Sequence, residues 1–78
     1  MSPDDELPVF VVYRNPRDFP GKWVCRRQVA TASGEVKSDP EPFAVSGSYS
    51  IILALLPPGL TRMERHPDDD PVIVETWI

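Results

Sequence analysis

The sequence predicts an α+β domain: a small antiparallel sheet of about four strands with one short helix packed on one face. Three observations carry this. Short β-branched and aromatic runs stand at both ends of the chain, Val9 to Tyr13 and Val72 to Ile78. Proline-containing turns bracket nearly every apolar run, with 10 prolines among 78 residues where about 5% is usual, so the elements must be short. A single segment, Tyr49 to Leu56, has helical spacing of its apolar residues. The expected order is β-β-(β)-α-β-β, a two-layer arrangement in which the sheet buries one face under the helix.

Met1 to Pro8 carries Asp4, Asp5 and Glu6 between two prolines and is expected as a flexible acidic tail, leaving 9–78 as a single domain. The same stretch has neither the basic start nor the apolar core of a secretory leader. Val9-Phe10-Val11-Val12-Tyr13 is apolar on both alternating faces, which places it centrally in the sheet. Asn15-Pro16 and Pro20-Gly21 then mark a turn. Trp23 to Val29 resumes as a strand with Trp23, Cys25 and Val29 toward the core and Arg26 and Gln28 outward. Arg27 falls on the apolar face, which requires a bulge or a rim position. Ser33-Gly34 suits a hairpin tip, and Pro40 and Pro42 confine the returning segment to an edge or loop, with Phe43 to Val45 as a short pairing stretch.

In the next segment Tyr49, Ile52, Leu53 and Leu56 follow the i, i+3, i+4, i+7 rule, whereas Tyr49, Ile51, Leu53 and Leu55 also alternate as a strand would. Ala54, the leucines and a serine N-cap at Ser46 or Ser48 favour the helix. Pro57-Pro58-Gly59 stops either structure. Leu60 to Arg65 and Val72 to Ile78 read as the last two strands, joined by the acidic turn His66 to Pro71. If the terminal strand pairs with Val9 to Tyr13, Trp77 shares the Ile73 face and packs on the helix. If it lies at an edge instead, it offers a template for strand addition, either to a partner or to a second copy as a homodimer.

Composition narrows the function. At 41% hydrophobic residues the chain supports a packed core, and its longest apolar run is far below the ~20 residues of a membrane-spanning helix. A lone Cys25 forms no disulfide framework and is expected as a small buried hydrophobe. His66 and Asp68 to Asp70 are the one cluster of acid/base or metal-binding type. Adjacent, proline-bracketed acids do not converge as calcium ligands do, so a solvated hairpin tip is expected and neither metal nor cofactor. No nucleophile elbow or phosphate-cradling glycine loop is present, so an enzyme (a small hydrolase or metal protein) ranks below a binding module.

The charge is uneven. Residues 14–27 hold five cations against Asp18, a net +4 in a chain of −4, so the remainder carries −8. The candidate partner-binding residues are Arg14, Arg17, Phe19, Lys22, Trp23, Arg26 and Arg27, with Phe19 or Trp23 as an apolar anchor among charges. A solvated or internally paired face is the plainer reading of the same residues. The partner expected is an acidic protein. Net negative charge argues against nucleic acid, which is retained as the alternative because arginine beside aromatics also engages single strands.

Two strings, Phe10 to Pro20 and Pro67 to Ile78, resemble the ends of small uncharacterised proteobacterial proteins of no known activity. The resemblance implies a bacterial, cytoplasmic protein and transfers no functional residue.

Overall fold

The computed structural model describes residues 6–78. The element order is β1 (Glu6–Arg14), β2 (Trp23–Thr31), β3 (Val36–Ser38), β4 (Ala44–Ser46), α1 (Tyr49–Leu55), β5 (Arg62–Glu64) and β6 (Ile73–Trp77). All six strands belong to one antiparallel sheet in the order β3-β2-β1-β6-β5, with β4 on the same side of β2 as β3. The class is the expected α+β. The strand count is six rather than about four, because the returning segment contributes two three-residue strands to the outer edge of β2, one on each side of Pro40 and Pro42. Glu6, Leu7 and Pro8 pair with Thr31, Ala30 and Val29, so β1 starts inside the stretch expected as a tail. The rest of that tail lies outside the described residues.

The sheet has a continuous spine. β1 and β2 pair without interruption from Glu6↔Thr31 to Arg14↔Trp23, and β6 runs along the other side of β1 from Phe10↔Trp77. The terminal strand is therefore internal, and β5 supplies the outer edge beyond it. A register shift between Val12 and Tyr13 leaves Val74 as an extra residue on β6, a bulge. Phe10, Val12, Cys25, Ala44 and Ile52 form the main core cluster, with Trp23, Tyr49, Leu56, Leu60 and Trp77 packed against it. Trp77 thus faces the helix side as expected. Ile73, below the bulge, does not join the cluster.

The segment 49–55 is helical. Ser48 occupies the N-cap position in extended conformation without a side-chain cap bond, and Leu56 leaves the helix before the two prolines. α1 rests on β2 and β4 and buries Ile52 completely, while Ile51 and Leu55 stay half exposed on its outer side. No bulge relieves Arg27. It stands opposite Phe10 at the rim of the helix face, and its guanidinium pairs with Asp39 at 3.4 Å. Among the described residues no helix is long and apolar enough to cross a membrane.

Candidate interaction site at the cationic end of the sheet

The end of β1, the start of β2 and the start of β6 meet at one end of the sheet. The turn joining β1 to β2 is built by Asn15 and Gly21. Asn15 adopts φ 53°, a left-handed conformation that asparagine tolerates better than most residues. Its N–H donates to the Lys22 carbonyl at 2.8 Å, and its side-chain Oδ1 accepts from the Gly21 N–H at 2.6 Å. Gly21, at φ 75°, closes the turn in a left-handed conformation that glycine adopts without the backbone strain an L side chain would carry. Pro16, within the turn, is buried. The chain is thereby held so that Arg14 and Lys22 flank the first residue of β2.

Arg14 lies over the Trp23 indole, 5.6 Å from its centroid, and Tyr49 packs on the same indole at 4.7 Å. A cleft lined by Arg14, Asn15, Gly21, Lys22 and Trp23 opens here, with a volume of about 340 Å³. A second, wider cleft of about 580 Å³ shares Arg14 and Asn15 with it and continues along Arg65 and residues 71–74. Among the described residues Arg14, Arg17, Lys22 and Arg65 have no carboxylate within ion-pair distance.

The seven candidate residues do not form one surface. Successive residues of a strand point to opposite faces, so Arg14 and Trp23 share the helix side with Arg27, whereas Arg26 opposes Val11 on the other face. There Arg26 pairs with Asp18, and with Tyr13, Pro16, Arg17 and Asp70 it lines a separate cleft. Burial of the Tyr13 ring raises its phenol pKa, the Arg26 charge counteracting and Asp70 and Asp18 reinforcing the shift. Phe19 is half buried in the turn, its N–H bonded to the Pro16 carbonyl. Arg26 and Arg27 are thus neutralised by internal partners, and the cations left open are Arg14, Lys22, Arg17 and, unforeseen from the sequence, Arg65.

A second polar centre lies under the helix. Glu75 is 1% exposed, although it is charged. Its Oε1 accepts from the Tyr49 hydroxyl at 2.6 Å and from Arg62 Nε at 3.1 Å, and its Oε2 accepts from the Trp77 indole N–H. The contact to Glu75 raises the Arg62 pKa further, and burial together with the same carboxylate raises that of Tyr49. The buried polar atoms here all find partners within the fold, and the Tyr49–Glu75 bond ties α1 to the sheet, while the outer edge of the Arg62 guanidinium faces solvent.

The remaining candidates resolve locally. Cys25 is fully buried, and burial pushes its thiol up to about 11, far from a reactive thiolate. At the β5–β6 tip each group serves its own turn. His66 Nδ1 accepts from the Asp68 N–H, Asp69 accepts from the His66 N–H, and Asp70 accepts from the Val72 N–H. The expected solvated tip is what these bonds build. No protein-family model matches the sequence, and neither a curated protein nor a solved structure shows significant similarity to it.

Proposed function

We propose that the chain is a non-enzymatic binding module that takes an acidic protein segment at the cationic end of its sheet. The observation that carries this reading is the contrast in charge compensation. Arg26, Arg27 and Arg62 each have a carboxylate partner, whereas Arg14, Lys22 and Arg65 converge on two adjoining clefts with none among the described residues. A cation placed at a cleft without an internal partner keeps its full Coulombic interaction for an incoming anion.

A protein segment fits better than nucleic acid. Net charge of −4 repels a polyanion at long range, and the Trp23 ring already packs on Tyr49 and beneath Arg14. Cys25, a free thiol in the core, suits a reducing, cytoplasmic setting. Fluorescence anisotropy with a labelled oligoglutamate peptide tests the reading, with a single-stranded oligonucleotide as competitor. The peptide binds the protein, and Arg14→Glu with Lys22→Glu abolishes that binding. Oligonucleotide binding that exceeds peptide binding and falls steeply with salt overturns the reading.

A further inference from the structure

We infer that a second copy of this chain pairs with the first along β5, antiparallel about a two-fold axis at Met63, so that the two sheets become one. Among the described residues β5 ends the strand order, with β6 on one side and no strand on the other. Thr61 and Ile78 exchange both backbone bonds, at 2.7 and 3.0 Å. Bonded and non-bonded pairs alternate along an antiparallel ladder. Met63↔Thr76 is therefore the next bonded pair, and the N–H and C=O groups of Arg62 and Glu64 point away from β6. Within the described residues neither turn bonds nor side chains engage those four groups. All three residues of β5 are exposed, so the edge is open to an extended chain.

The side chains make this edge complementary to itself. Arg62 and Glu64 share the helix side of the sheet, and Met63 projects from the other face. A two-fold axis at Met63 sets each Arg62 opposite the partner's Glu64, and these two pairs exchange all four outward backbone bonds. An axis at Arg62 or at Glu64 opposes like charges instead. Glu64 has no cation within ion-pair distance among the described residues. Arg62 spends its Nε on Glu75 at 3.1 Å, and its side chain is still 49% exposed. Each guanidinium then lies between Glu75 of its own chain and the partner's Glu64. Met63, 47% exposed, is covered by its counterpart across the axis. The far edge of the sheet shows the contrast. The same arrangement along β3 sets Lys37 against a second Lys37, and a lysine so placed guards an edge against pairing. β5 carries no such guard.

Disulfide capture tests the register. Facing residues of a non-bonded antiparallel pair have Cα atoms about 4.5 Å apart, within disulfide reach. Under mild oxidation Met63→Cys should form linked dimers about tenfold faster than Val36→Cys, a more exposed position on the opposite edge. Cys25 is fully buried and takes no part. Adding Glu64→Lys to Met63→Cys sets cation against cation and should lower capture to the Val36→Cys rate. In the parent protein the amides of Arg62 and Glu64 should shift as concentration rises toward about 1 mM, and Glu64→Lys should abolish those shifts. Equal capture at positions 63 and 36, or amides at 62 and 64 that stay still on concentration, overturns the inference. Shifts there that appear only when the oligoglutamate peptide is added assign the edge to that peptide and overturn self-pairing.

Discussion

The two polar regions of this small domain, the carboxylate under the helix and the cations at the sheet end, are solved in opposite ways. Glu75 is buried and meets three donors, whereas Arg14, Lys22 and Arg65 are exposed and have no carboxylate among the described residues. Burial forces compensation because an unpaired charge in the core costs several kcal/mol, while at the surface water screens a lone cation at little cost. The fold can therefore leave cations unpaired at the sheet end without weakening itself. If the proposed binding holds, stability and binding rest on different residues.

The clamp should be the most sensitive point. Glu75→Ala strands the Tyr49 hydroxyl and the Trp77 indole N–H under the helix and removes the acceptor of Arg62; we expect a loss of about 3–5 kcal/mol in urea denaturation. Because a domain of this size has only about 5 kcal/mol in hand, this variant should keep about 0–2 kcal/mol and be at most half unfolded at room temperature. Glu75→Gln keeps a carbonyl acceptor and should recover part of the loss. Equal stability of Glu75→Ala and the parent would show that the carboxylate is not a clamp. Next comes the helix contact. Ile52→Ala should cost about 2–4 kcal/mol, whereas Ile51→Ala, one residue away on the outer side, should change stability by less than about 1 kcal/mol.

Alkali attacks the same face by another route. In the folded core Cys25 holds its proton up to about 11, against an ordinary value of 9.0. Below pH 9 the thiol is neutral in both states and stability is full. Between 9 and 11 the unfolded chain alone releases the proton, so stability falls, by about 2–3 kcal/mol in total, and levels above 11. Tyr49 and Tyr13, both raised, act in the same direction above pH 10. Denaturation midpoints at pH 8 and 10.5 check this, and the thiol's part of the slope should vanish in Cys25→Ala. A flat profile in the parent would mean that the thiol is not enclosed.

Much of the fold was legible because it depends on local patterns. Alternation placed Trp23, Cys25 and Val29 inward, and the i, i+3, i+4 spacing with a proline stop marked the helix. Three-residue strands such as Ala44–Ser46 carry too few residues for alternation to register, so the strand count was underestimated. The candidate site was legible only in outline. A run of five cations looks like a patch in sequence, but strand geometry sends Arg26 to the opposite face from Arg27, and Asp18 and Asp39 neutralise both. Arg65 is separated from Arg14 by some fifty residues and joins it only because β6 pairs with β1. The Glu75 clamp likewise needs three-dimensional pairing, although Glu75 sharing the face of Trp77 was a hint that a charge would enter the helix side.

The finest discrimination lies within the cationic region and concerns two cations at the sheet end, Lys22 and Arg26. Both sit near the sheet end, and neither should matter for stability. Lys22→Gln removes a solvated ammonium without a partner, and Arg26→Gln removes a surface pair with Asp18, a contact worth about 0–1 kcal/mol. Urea midpoints of both variants should therefore lie close to that of the parent. Their peptide binding should differ. Lys22 lines the cleft it shares with Arg14, so its loss weakens capture of an acidic peptide. Arg26 lies on the other face with its charge already spent on Asp18, so its loss leaves capture unchanged. If both variants weaken binding equally, net charge rather than position attracts the peptide, and the distinction between paired and open cations has no functional meaning.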